Sequence, residues 1–128
     1  MKSLPQYIQE KLIIKKSKSN NYKYFPETKE ELKDIILQRI EAEGKEVNLN
    51  DIDVSKITDM SHLFANTDFN GDISEWDVSN VKNMPYMFSN CESFNQDISN
   101  WDVSNVVDSD NMLYNCPIEE KYKPNLIT

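Results

Sequence analysis

The chain reads as an α/β repeat solenoid: a short right-handed stack of about three coils of ~25 residues each, closed by an amino-terminal capping helix. Three observations predict this class. The segment DISEWDVSNVKNMPYMFSNCESFNQ (residues 72–96) is followed at once by DISNWDVSNVVDSDNMLYNCPIEEK (residues 97–121), a tandem period of 25 residues. One unit of that size cannot bury its apolar side alone, so neighbouring units must stack. The apolar spacing inside each unit suits a strand, and an amphipathic helical pattern stands just upstream of the repeats.

Ile73, Trp76, Val78, Val81, Met84, Met87, Cys91 and Phe94 mark the apolar positions of one unit, and Ile98, Trp101, Val103, Val106, Met112 and Cys116 recur in the next. A degraded copy lies upstream, where IDVSKITDMSHLFAN (residues 52–66) matches WDVSNVKNMPYMFSN (residues 76–90) at a shift of 24. The run Ile73, Trp76, Val78, Val81 fits the leucine-rich-repeat template of a short strand leading into a turn. Ile, Trp and Val replace Leu without conflict, because β-branched and aromatic side chains suit a half-buried pleated surface.

The helix has explicit punctuation. Thr28 and Glu31 form a capping box after Pro26, Leu32, Ile35, Ile36 and Ile40 make one stripe, and Gly44 supplies the stop. A helix over residues 29–43 is therefore predicted, covering the exposed edge of the first coil. Residues 60–66, 84–90 and 111–115 read as short helical or 3₁₀ return segments, with Phe64 and Phe88 on the buried side. Residues 4–16 suggest a further amphipathic helix, with Ser3 as N-cap and Pro5 in its first turn, and residues 15–21 a polar linker. The organisation is thus a basic arm or helix (1–26), a capping helix (27–46), repeats (47–116) and a terminal cap (117–128) in which Pro117 and Pro124 discourage further pairing.

The motifs DISxWDVSNVxxM and xxMFxNxxxFN, with the preceding ETKEELKDIILQRI, resemble the BspA-type leucine-rich-repeat proteins of bacteria. The resemblance is carried by residues 48–116 and extends over residues 26–47. It implies a leucine-rich-repeat-like solenoid and a role in binding other macromolecules, since many members of that family are surface proteins attributed to adhesion.

Composition narrows the function. The formal net charge is -8, yet residues 1–26 carry six lysines against Glu10, while residues 27–128 carry eight basic and 21 acidic side chains. An anionic body repels nucleic acid and anionic membranes and steers basic partners towards it. No apolar run approaches the ~20 residues needed to cross a bilayer. MKSLPQYIQEKLIIKK lacks an uninterrupted apolar core and a small-residue cleavage site, so a cytoplasmic protein without signal peptide is expected. Cys91 and Cys116 occupy equivalent repeat positions and are expected to be neighbours that stay reduced in such a compartment. With two glycines in the chain, turns must use Asn and Asp.

No catalytic constellation is legible. His62 is the single histidine and its repeat equivalents are Tyr86 and Asn111, so a Ser or Cys nucleophile has no recurring base. The aspartate ladders Asp53, Asp77, Asp102 and Asp72, Asp97 could ligate a hard cation, but turn capping explains their recurrence better. Neither metal nor cofactor is expected. Trp76 and Trp101 fall in the core pattern rather than on a stacking platform. The exposed face is assigned to Asp53, Glu75, Asp77, Asn80, Lys82, Asn100, Asp102 and Asn105. These residues point to a non-catalytic protein-binding module, monomeric or a small homo-oligomer, that recognises a protein with a basic surface and binds neither nucleic acid nor membrane directly. The alternative is a small intracellular phage-type inhibitor, such as an anti-CRISPR or other anti-defence protein, that blocks the nucleic-acid groove of its target.

Overall fold

The computed structural model describes residues 22–126, and within them helix α1 spans Lys29–Glu43. Its start follows from side-chain chemistry: Thr28 Oγ1 accepts the Glu31 amide at 3.1 Å, and the Glu31 carboxylate accepts the Glu27 amide at 2.9 Å. Gly44, at φ 98, ends the helix and returns its amide to the Ile40 carbonyl. Leu32, Ile35 and Ile36 are fully buried against the repeats. Arg39 joins the helix to the first repeat through Asp51 and the Asn48 carbonyl, pairs with Glu43 on its own helix, and lies with its guanidinium over the Tyr24 ring. The helix and linker expected at residues 4–16 and 15–21 lie outside the described residues.

The repeats are not the α/β solenoid expected from the sequence. Among the described residues there are α1, one 3₁₀ turn at Glu120–Tyr122 and no strand. Parallel pairing is limited to the isolated bridges Tyr24 to Ile52, Asp59 to Asn83 and Asn83 to Asp108. The reason lies in the spacing that suggested a strand. Ile73 and Trp76, and then Val78 and Val81, are the first and last residues of successive β-turns, with the Trp76 amide on the Ile73 carbonyl at 3.2 Å and the Val81 amide on the Val78 carbonyl at 3.0 Å. Ile98 and Trp101, and Val103 and Val106, repeat the pattern. A gap of three residues is the closure of a turn as well as part of a leucine-rich template.

The segments expected to be helical are also chains of turns, and their amides divide into two sets. In the first layer Met60, His62, Phe64 and Asn66 donate to the Asn83, Pro85, Met87 and Ser89 carbonyls of the second at 2.8–3.0 Å. In the second, Met84, Tyr86, Phe88 and Asn90 donate to Asp108, Asp110, Met112 and Tyr114 of the third over the same range. The intervening amides fold back within their own layer, as Leu63 does to Met60 and Ala65 to His62. A strand would send those intervening amides to the other neighbour, so a layer built this way is saturated without being β.

This geometry needs left-handed residues. His62, Tyr86 and Asn111 form one recurring set of positive φ (55–60°), and Asn66, Asn90 and Asn115 another (56–64°). His62, Asn66, Tyr86 and Asn90 stand third in their turns, where a type II turn requires positive φ. Asn tolerates that region through its short polar side chain, whereas His62 and Tyr86 are held there by the ladder on either side. Gly71 answers a different demand: a Cβ there would lie 1.9 Å from the Val47 carbonyl oxygen.

Stacked layers align their aromatic rings into columns. Phe64 lies on Phe88 with ring centroids 5.3 Å apart, Phe69 on Phe94 at 6.1 Å and Trp76 on Trp101 at 6.3 Å, the first and last pairs being nearly parallel. Both indoles also donate to buried carbonyls one layer back, Trp76 to Leu49 at 2.9 Å and Trp101 to Ile73 at 3.0 Å. Each buried ring contributes about 1.5–3 kcal/mol of transfer free energy, and each stacked pair about 0.5–1.5 kcal/mol more. The tail closes one side of the third layer, where Ile118 and Pro124 are buried and the Tyr122 carbonyl accepts the Ile98 amide.

The two cysteines are free thiols, Cys91 within this core and Cys116 half-buried against it. Cys91 is fully buried and donates to the Phe64 carbonyl at 3.0 Å. Burial, reinforced by the nearby Cys116 sulfur, pushes the Cys91 thiol up to about 11 against weaker opposition from Thr67 and Asn66. Burial raises Cys116 as well. A thiol held protonated is a poor nucleophile.

Two outcomes follow for the core. Trp101→Ala should lower unfolding free energy by about 3–5 kcal/mol, and Trp101→Phe, which keeps a ring but removes the indole bond and leaves the Ile73 carbonyl with the Trp76 amide alone, by about 1–2 kcal/mol. Chemical denaturation measures both, and wild-type midpoints for the pair would remove the indole from the core. Neither cysteine should react with a thiol reagent at neutral pH until denaturant is added; fast stoichiometric labelling of the native protein would refute the buried-thiol assignment.

Candidate functional site

The surface between the columns is built from Asp-x-Ser turns. Asp72, Asp77, Asp97 and Asp102 each accept, on Oδ1, both the backbone amide and the hydroxyl of the serine two residues on, at 2.6–3.1 Å. Asp53 accepts the Ser55 amide in the same way. These bonds fix each carboxylate, and at Asp72 the Asn50 side chain adds a further bond. They also act on ionisation. The Ser99 hydroxyl and amide hold Asp97 below the ordinary carboxylate range, and those of Ser104 do the same for Asp102. At Asp72 burial works upwards, but the Ser74 bonds and Asn50 prevail and the carboxyl is lowered.

The register brings most of the sequence-assigned residues onto one face. Asn80 Nδ2 donates to the Ser55 carbonyl at 2.8 Å and Asn105 Nδ2 to the Ser79 carbonyl at 2.6 Å, so the turns carrying Asp53, Asp77 and Asp102 stack layer on layer. Tyr22 lies beside this face, and its hydroxyl pKa is raised by burial and then by Asp53, Asp77 and Glu75. Glu75, Asp77, Lys82, Asn100 and Asp102 are exposed, and Asp53 is half-buried. Asn80 and Asn105 have a structural duty that the sequence reading missed: their side-chain amides staple adjacent layers.

Lys82 sits at the margin of the face, where its backbone amide donates to Thr58 and its carbonyl accepts the Val107 amide. The single lysine adds little to the sign of a surface dominated by carboxylates. Among the described residues no cluster of three or more His, Cys, Asp or Glu is arranged to hold a metal ion. No described helix is long and apolar enough to cross a membrane.

A second exposed surface was not singled out from the sequence. His62 stacks on Tyr86 with centroids 4.9 Å apart, and the Tyr86 hydroxyl accepts Asn111 Nδ2 at 3.1 Å. Beside them Asn90 donates to Asn66 Oδ1 and Asn115 to Asn90 Oδ1, at 3.1 and 2.9 Å. The recurrence of Asn at 66, 90 and 115 was the available signal. The groove next to this amide ladder has a volume of about 450 Å³ and is lined by Asn66, Thr67, Asp68, Asn90, Glu92 and Ser93. The bonds account for the side-chain amides as layer-to-layer ties, leaving the Tyr114 ring exposed at the end of the stack.

No curated protein and no solved structure matches the chain. A family model described as "Mycoplasma protein of unknown function, DUF285" does match, over residues 32–122, from the first buried turn of α1 to the end of the 3₁₀ turn. That span holds every layer of the stack, and the chain belongs to the DUF285 family.

Proposed function

We propose that the chain is a non-catalytic protein-binding module whose stacked acidic turns engage a basic surface on a partner protein. The observation that carries this reading is the set of carboxylates at Asp53, Asp77 and Asp102, repeated one per layer and pre-oriented by serine bonds. A fixed row of charges loses little side-chain entropy when a Lys or Arg arrives, and its field raises the encounter rate before contact. The motif resemblance to BspA-type proteins supports a binding role in the same direction. An enzyme would need a base or metal placed against a nucleophile, and the single histidine, His62, is spent on a surface stack with Tyr86.

Capture of partners from native lysate, repeated with the Asp77→Lys/Asp102→Lys double variant, tests the reading. The wild-type association rate should fall about tenfold or more between ~0.05 M and ~0.5 M salt as screening shortens the reach of the face. The double variant should lose the same partner at a stability cost of about 1–3 kcal/mol from its missing serine bonds, whereas Asp77→Asn/Asp102→Asn, which keeps an acceptor oxygen in each turn, should lose the charge-dependent association with a smaller change in melting. Salt-insensitive capture, an unaffected double variant, or direct binding of DNA or RNA by the isolated chain would sink the proposal.

A further inference from the structure

The ladder that joins the layers has a direction, and it stops at the third. The amides of Met60, His62, Phe64 and Asn66 in the first layer, and of Met84, Tyr86, Phe88 and Asn90 in the second, each find a carbonyl in the layer that follows. Their equivalents in the third layer, Ser109, Asn111, Leu113 and Asn115, have no acceptor for their amides among the described residues. The Val107 carbonyl, equivalent to those of Thr58 and Lys82 that accept from the next layer, is likewise free of a described donor. The tail pairs elsewhere, with Ile98 through Tyr122 and with Asn95 through the Glu119 amide. An unpaired row of this kind is a template for another chain.

The polarity of the row selects the occupant. Two copies meeting through this edge about a twofold axis would set amide against amide, which offers no hydrogen bonds. Head-to-tail stacking of copies meets an obstacle at the opposite end, where Lys29 of α1 already donates to the Ser61 carbonyl, the equivalent of Pro85, at 3.4 Å. What fits is a segment that offers carbonyls at alternate residues, as the layers do to one another. Apolar surface lies ready at both ends of the row: Val107 is 80% exposed and Tyr114 62%. A groove of about 230 Å³ lined by Trp101, Val103, Val106 and Asn125 lies on the same layer, with Trp101 itself buried at 5% exposure.

We propose that the edge from Val107 to Asn115 docks an unpaired repeat segment of this same turn type, presented by another protein chain. The segment's alternate carbonyls accept the amides of Ser109, Asn111, Leu113 and Asn115, its own first amide donates to the Val107 carbonyl, and its apolar side chains pack on Val107 and Tyr114. This contact is separate from the acidic face and does not depend on it. It rests on backbone bonds and apolar flanks, so it is insensitive to salt.

The test is a titration of the ¹⁵N-labelled full chain with a synthetic peptide of residues 76–90, WDVSNVKNMPYMFSN, whose carbonyls fill such an edge inside the molecule. Saturable shifts and slowed exchange are expected at the Ser109, Asn111, Leu113 and Asn115 amides, alike at ~0.05 M and ~0.5 M salt. Tyr114→Ala and Val107→Ser, both at exposed positions, should each weaken the peptide about tenfold without moving the melting temperature. Asp77→Lys/Asp102→Lys should leave it unchanged, which separates this edge from the acidic face. Silence at these amides up to about 1 mM peptide, or binding that is equal in the Tyr114 and Val107 variants, or loss of binding in the charge-reversed protein, would overturn the proposal.

Discussion

Everything in this molecule depends on how the backbone amides of residues 58–66 and their two repeats are shared out. One set crosses to the next layer and the alternate set closes turns within the layer. Because every buried amide must find an acceptor, this division lets short apolar segments stack without forming a sheet. It fixes the register between layers at 24 or 25 residues, and the register in turn places ring on ring and carboxylate over carboxylate. Core and surface are two consequences of one hydrogen-bond pattern.

The arrangement also explains the economy of the composition. Each layer places a left-handed residue at two points, and the chain supplies Asn or a ring side chain there rather than glycine. Asn then serves twice, since Asn66, Asn90 and Asn115 join their layers through side-chain amides as well. Asp serves twice in the same manner, capping a serine amide with one oxygen and presenting the other to solvent. Residues that look like a functional ladder are first of all structural, and the acidic face is what the structural requirement leaves exposed.

Part of this was legible in the residues. The T-x-x-E box and Gly44 located α1, because capping chemistry is local and needs no tertiary context. The period located the layers, and the recurrence of Trp and Phe in them located the core, now seen as fully or nearly fully buried rings. The local geometry was not legible: Ile73, Trp76, Val78 and Val81 suit a strand by β-propensity and two linked turns by spacing, and only the acceptors of the intervening amides decide between them. Positive φ at Tyr86 carries no compositional mark, since tyrosine does not favour that region by itself. At the candidate site the aspartates were found because they recur, while the stapling by Asn80 and Asn105 depends on a carbonyl one layer away.

The division of amides is open to direct observation through scalar couplings transmitted across hydrogen bonds. In the labelled protein, the nitrogens of Tyr86, Phe88 and Asn90 should couple to the carbonyl carbons of Asp110, Met112 and Tyr114, and the Ser89 nitrogen to Tyr86 within its own layer. Couplings from Met87 or Ser89 to carbonyls of the first layer would instead mark a true parallel sheet, and would contradict the account at its root.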